Sequence, residues 1–269
     1  MKDAVETVRF LGRTYDVIDL SDRLDNSTSA FEPSPHKIDY LTPDESIKVV
    51  EERRGIPAAV WPDGKGWATE VVTIPTHAGT HVDAPYHYGP RPDGKPPLTI
   101  DQVPFQWCMS DGVLLDFSTK PAGYGISAKD IEQELERIGY ALKPSDIVLI
   151  RTDVSRHFKE PGYQNRHPGM TRGATEYLVD RGVRLIGIDA WGLDRPFPVM
   201  LDELKQDPRN QFWEAHLLGR EKEYCQIEKL CNLDRIPVPF GFAVMALPIN
   251  LANASAGWSR VVALVESSS

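Results

Sequence analysis

Short apolar runs alternate along the chain with amphipathic stretches of helical period. Gly112 to Phe117, Asp146 to Ile150 and Val183 to Asp189 are runs of the kind found in strands buried on both faces. Phe240 to Ile249 and Trp258 to Val265 extend the set. Val8 to Phe10 and Tyr15 to Leu20, joined around Gly12, predict a hairpin. Ser127 caps a helix, with Asp130 three residues on and Ile131, Leu135 and Ile138 on one face. Thr171 opens a second helix that ends at Gly182. Asp207-Pro208 opens a third, with proline at the first helical position, and Gly219 ends it, so His216 falls in its last turn. Two stretches follow neither period. Asn26 to Asp44 is polar and carries Pro33, Pro35 and Pro43, and Gly89 to Pro97 is rich in proline and glycine. Both read as surface loops. No repeat and no linker-like shift in composition interrupts the pattern, which predicts one α/β domain over residues 1–269.

Composition narrows the function classes. The net charge of −9 argues against nucleic acid, which selects basic surfaces. No window approaches the ~18 apolar residues of a membrane span, and Met1 to Thr7 lacks the apolar core of a signal peptide. Cys108, Cys225 and Cys231 form neither a disulfide framework nor a zinc pattern and read as buried thiols. A cytoplasmic protein is expected.

The chemistry is concentrated in His77-Ala-Gly-Thr-His81-Val-Asp83-Ala-Pro-Tyr-His87. Neutral imidazole and carboxylate suit zinc, manganese or iron. Helix is a poor reading of this run, because Gly79 and Pro85 interrupt it and Thr80 and Val82 are β-branched. A straight strand also fails. At ~3.3 Å per residue it would separate His77 from His81 by roughly 13 Å, too far for two imidazoles to share an ion. The chain must bend, and Gly79 can turn without steric cost. A strand from Glu70 to Pro75 is therefore expected to run into a bent loop whose side chains converge on a metal. The motif has no Cys, which favours a catalytic site with an open position over a closed structural one. A non-catalytic metal-binding protein is the alternative from another class.

The same residues resemble the signature His-x-Gly-Thr-His-x-Asp-x-Pro-x-His of the metal-dependent cyclase-like hydrolases, which include bacterial kynurenine formamidase and isatin hydrolase. Val17-Ile-Asp-Leu-Ser21 resembles the family's opening strand, and Gly187-Ile-Asp-Ala190 its central Gly-x-Asp segment. His216-Leu-Leu and Ile227-Glu228-Lys-Leu-Cys-Asn232-Leu resemble its second set of site residues. The resemblance implies a mixed β-sheet core with flanking helices, of the swivelling β/β/α kind. The chain departs from the family at two places. The region from about Leu24 to Trp67 is longer than in the compact formamidases, and Ala256-Gly-Trp-Ser-Arg260 replaces the commoner Gly-Ser-Pro-x-Arg.

By resemblance His77, His81 and Asp83 are metal ligands, and His87 transfers protons. An imidazole of near-neutral pKa can take a proton from water and return it to a leaving atom; a fourth ligand or a supporting hydrogen bond is the other reading of His87. On residues alone, His216 is a favourable partner for a helix dipole and Glu228 with Lys229 a solvated pair. The resemblance makes His216 and Glu228 site residues, as ligands of a second metal or as groups that orient the attacking water. One or two divalent ions, Mn2+ or Zn2+, are expected per chain. Thr80 and Tyr86 are expected to support the site or pack beside it, and Trp61, Trp67 and Trp191 are candidates for an aromatic pocket wall. His167 reads as a loop residue, and His36 and His157 belong to no constellation. The expected activity is hydrolysis of a non-peptide amide C–N bond, in a cyclic amide or an aryl formamide. A lactone hydrolase or a cyclase could use the same site. A homo-oligomer, dimer or tetramer, acting on a small molecule is expected.

Overall fold

A computed structural model describes residues 4–32, 34–209 and 211–267. The chain divides into two compact units, one of residues 1–23 with 79–269 and one of residues 24–78. The first unit opens with the predicted hairpin, β1 (Val5–Phe10) and β2 (Arg13–Asp19), paired antiparallel with Val8 opposite Tyr15.

The second unit contains β3 (Lys37–Leu41), α1 (Pro43–Arg54) and β4 (Thr69–Thr73), with β3 and β4 forming an antiparallel ribbon. The expected strand at Glu70 to Pro75 thus starts one residue earlier and ends two earlier. The stretch from Asn26 to Asp44, expected to be irregular, contains β3 and the start of α1. Thr42 supplies the reason for that start: its side chain and that of Glu45 form a reciprocal capping box, with proline at the head of the helix. Pro33, in the same stretch, lies outside the described residues.

The first unit continues with β5 (His81–Asp83), α2 (Phe105–Cys108), β6 (Met109–Asp116), β7 (Gly125–Ile126), α3 (Ala128–Ile138), β8 (Ile147–Arg151), β9 (Gly169–Met170), α4 (Arg172–Asp180) and β10 (Leu185–Ile188). Then come α5 (Phe197–Gln206), α6 (Glu214–Gly219), β11 (Cys225–Glu228), β12 (Phe240–Met245), β13 (Ala256–Trp258) and β14 (Val262–Glu266). Ten strands form one mixed sheet in the order β1-β2-β14-β12-β6-β8-β10-β11-β5-β13. Its centre, β6-β8-β10-β11, is parallel. Of these, β6, β8 and β10 are the runs that read as buried on both faces, and each face has its own core. Val113, Leu115, Val148, Ile150, Ile186 and Ile188 pack with Ile131, Leu135 and Leu178 of α3 and α4. Leu114, Ile147, Leu149 and Leu185 point the other way, to a cluster with Ile18, Phe242 and Val244. The period-two alternation of a strand produces that division. The mixed α/β class expected from the sequence is the one observed.

Helices α3 and α4 start where predicted. The Ser127 hydroxyl accepts from the Asp130 N–H, and that of Thr171 accepts from Ala174. The third expected helix is corrected. Asp207-Pro208 does not open a helix; Asp207 closes α5, and its carboxylate accepts from the Arg209 backbone and guanidinium. An Asp that bonds two residues ahead makes a turn, and here that won over a proline at a helix start. His216 lies instead in the short α6, still in its last turn. The strand β11 was not expected, since its four residues, Cys-Gln-Ile-Glu, carry no clear pattern.

Candidate functional site

Gly79 has φ +62, the left-handed region that favours glycine, and the chain bends there as expected. Beyond the bend, β5 carries His81 and Asp83. Being two residues apart on a strand, they project from one face. Antiparallel pairing with β11 sets Glu228 directly opposite His81 and Gln226 opposite Asp83. Glu228 is therefore delivered by strand register across 147 residues of chain, and it is buried rather than the solvated partner of Lys229 that the residues alone suggest. Lys229 is buried too.

Four side chains meet in this unit. His81 Nε2 lies 3.2 Å from Asp83 Oδ1 and 3.7 Å from Glu228 Oε2. His216 Nε2 lies 3.7 Å from Glu228 Oε1 and 4.0 Å from Asp83 Oδ2. Donor atoms of His81, Asp83 and Glu228 all fall within 4.8 Å of one another. Each histidine has its other nitrogen fixed. His81 Nδ1–H donates to the Gly79 carbonyl at 2.8 Å, and His216 Nδ1 stands 2.5 Å from Asp194 Oδ2. Both Nε2 atoms are thereby turned toward the two carboxylates. Two buried carboxylates facing two nitrogen lone pairs are a donor set that a divalent cation fits, and anchoring of the second ring nitrogen is the usual support for such ligands.

The electrostatics have the same origin. Burial alone lowers the His81 pKa, but the Asp83 and Glu228 carboxylates outweigh it and the net shift is upward. At His216, burial likewise pulls down while Asp194, Glu228 and Asp83 raise the pKa. Burial and the neighbouring Asp83 push the Glu228 carboxyl up, against His216 and His81.

His87 stands in a 3-10 turn, Pro85–Tyr88, that leaves β5. Its ring is edge-on to His216 with centroids 5.4 Å apart, and edge-on to Trp213 at 5.6 Å. Trp213 stacks on His216 at 4.0 Å with an interplanar angle of 12°. His77, the remaining member of the motif, belongs to the other unit, next to its boundary at Ala78. The Thr80 hydroxyl donates to the Lys229 carbonyl at 2.6 Å and accepts from the Asp22 N–H, which ties the bend to the end of β11. Tyr86 is half exposed.

Asp189 of the Gly-x-Asp segment accepts from the Thr152 N–H and hydroxyl and from the Asp153 N–H, at 2.6 to 2.8 Å. It braces the loop after β8. Trp191 is edge-on to Phe197, which stacks on Phe212. Trp61 and Trp67 pair with each other in the second unit. His167 is a buried loop residue whose Nδ1–H donates to the Pro168 carbonyl, His36 bonds to Asp25 and Thr28, and His157 pairs with Glu160. The loop from Gly89 to Pro97 is pinned beyond α6, by Arg91 on Glu223 at 2.8 Å and by Arg220 on the Pro90 carbonyl.

Asp194 and Trp213 are contacts of His216 that the sequence reading missed. Neither had a usable signal: Asp194 reaches its histidine from 22 residues upstream, and Trp213 looks like any core aromatic.

The mixed sheet and its flanking helices are a fold shared with solved structures. The crystal structure of an isatin hydrolase bound to the product analogue thioisatinate superposes with a TM-score of 0.73 at 21% identity, covering 94% of this chain and 93% of that one. The cyclase family model matches residues 18–195, and the chain belongs to that family. Kynurenine formamidase of Bacillus mycoides (strain KBAB4) is 27% identical over 191 residues, which are 71% of this chain and 77% of that protein. Isatin hydrolase of Roseibium aggregatum is 26% identical over 220 residues, 76% of this chain and 77% of the relative. Both relatives are hydrolases. Among the described residues no helix is long and apolar enough to cross a membrane.

Proposed function

We propose that this protein is a metal-dependent hydrolase of a non-peptide amide C–N bond, in a cyclic amide or an aryl formamide. The observation that carries the reading is the meeting of His81, Asp83, His216 and Glu228, with both Nε2 atoms turned to the carboxylates and both Nδ1 atoms tied back. His81 and Asp83 hold a divalent ion, Mn2+ or Zn2+, and His77 is assigned to the same set on the motif alone. When bound, such an ion supplies Lewis acidity, polarising a carbonyl and lowering the pKa of water. Glu228 and His216 either share a second ion or orient the attacking water. His87 moves the proton between that water and the leaving nitrogen through its imidazole, in the manner of a general acid–base.

The aromatic surroundings support a compact, flat substrate. Trp213 lies against both His87 and His216, and Trp191, Phe197 and Phe212 form a continuous aromatic row on neighbouring segments. The names of the relatives, kynurenine formamidase and isatin hydrolase, bracket the two amide types. The test is kcat/KM for N-formylkynurenine, isatin, other cyclic amides and simple lactones on one metal-loaded preparation. Turnover of cyclic amides at least equal to that of N-formylkynurenine is expected. A preference of ~100-fold for N-formylkynurenine, about 2.7 kcal/mol in transition-state binding, assigns the protein to the formamidases. Turnover of lactones alone overturns the amide reading.

A further inference from the structure

Helix α6 has six residues, too few to be stable by its own hydrogen bonds. The residue before it, Trp213, is left-handed at φ +55 and makes no side-chain capping bond. The first-turn N–H groups are satisfied from elsewhere. Asp194 Oδ1 accepts from the Ala215 N–H at 2.7 Å and Oδ2 from the His216 N–H at 3.2 Å, and the same Oδ2 meets His216 Nδ1 at 2.5 Å. One buried carboxylate therefore caps the helix and grips the ring of the histidine it carries.

Asp194 is itself held in place. A side chain on Gly169 would run into the Asp194 backbone, so the two segments lie in direct contact. The Met170 N–H donates to the Leu193 carbonyl at 2.8 Å. On the other side, Arg195 makes paired bonds to Glu203 at 2.6 and 2.7 Å and a third to Glu214, in the first turn of α6, at 3.1 Å. Trp213, stacked flat on His216, opposes rotation of the ring out of its plane.

We propose that Asp194 is the positioning residue for His216: by accepting the Nδ1–H it holds one tautomer and presents the Nε2 lone pair to Asp83 and Glu228. The proposal rests on the reading that His216 works in the metal site. A carboxylate that only capped α6 would have no need to meet the ring, and a ring flipped about Cβ–Cγ would put Cε1 where Nε2 now faces Asp83 and Glu228 and would lose its anchor. An anchored second nitrogen fixes ring orientation and raises ligand basicity, and its removal typically costs 10–100-fold in metal affinity or activity.

The test uses 15N chemical shifts of the histidine rings in the metal-free protein, where the two tautomers are distinct whatever the enzyme does. Wild-type His216 is expected to carry its proton on Nδ1. In Asp194→Asn an amide nitrogen faces Nδ1 when the remaining oxygen keeps the Ala215 bond, so the Nε2–H form should become the major one. Binding of Mn2+ or Zn2+ should then weaken on the order of 10–100-fold. Wild-type His216 whose neutral ring carries its proton on Nε2 and none on Nδ1 overturns the proposal, and this result needs no variant to fold. Unchanged tautomer and unchanged metal affinity in folded Asp194→Asn also overturn it. Reversal of the tautomer in a protein that binds neither metal would support the role of Asp194 and sink the metal reading instead.

Discussion

Gly219 and Tyr88 are packed so closely that a methyl group on the glycine would collide with the edge of the tyrosine ring. Tyr88 ends the turn that carries His87, and Gly219 ends the helix that carries His216. The buried ring is stacked on Tyr224 at 5.5 Å and edge-on to His216 at 5.5 Å, so it cannot move aside. This contact sets the separation of the two histidines. Gly219→Ala should cost about 1–3 kcal/mol of stability by overpacking and should lower kcat through displaced His87. Urea unfolding and steady-state kinetics check both. An alanine variant of wild-type stability and turnover would show that the contact is not a constraint.

Metal dependence is the second prediction. Wild-type protein should hold at least ~0.5–1 equivalent of a divalent transition metal, as a site of this donor type does. About two equivalents means a dinuclear centre, with His216 and Glu228 as ligands. His81→Ala should bind none. Because an ion bound only by the folded state stabilises it, chelation should lower Tm in the wild type and leave His81→Ala unchanged. Full turnover by thoroughly chelated enzyme would falsify the assignment.

His87 should be separable from the ligands. His87→Ala is expected to retain metal while losing on the order of 10²–10⁴ in kcat, the usual scale of general acid–base help. Loss of metal together with activity would make His87 a ligand. An unchanged kcat would remove it from the mechanism.

Asp189 sets a pH dependence of folding. Burial pushes its carboxyl up to about 6, against the bonds from Thr152 and Asp153. A carboxyl whose folded pKa exceeds its unfolded value contributes stability below the unfolded pKa of about 4 and loses it as pH rises through 6. Between those limits the wild type should lose up to about 3 kcal/mol relative to a protein without this group. Asp189→Asn cannot titrate there. The measurement is the difference in unfolding free energy between the two proteins at pH 4, 5, 6 and 7. A difference that does not change with pH would refute the shift.

The features that could be read from the chain alone are those that depend on near neighbours along it. The apolar runs at Gly112, Asp146 and Val183 specified the buried parallel strands, because a strand covered on both faces must be apolar throughout. Caps at Ser127 and Thr171 specified two helices, since a cap acts within three residues. The bend at Gly79 followed from the reach of two imidazoles, a purely local constraint. Where two local signals competed, as at Asp207-Pro208, the sequence misplaced the helix. The company that each site residue keeps emerges only once the chain is folded. Glu228 reads as a solvated partner of Lys229 until the pairing of β11 with β5 sets it across from His81. His216 reads as a helix-end histidine until Asp194 grips its Nδ1 from another segment and Trp213 covers its face. Strand register and helix docking are set by the whole core, which no short stretch of chain encodes, and they alone bring these carboxylates and imidazoles within 4 Å of one another.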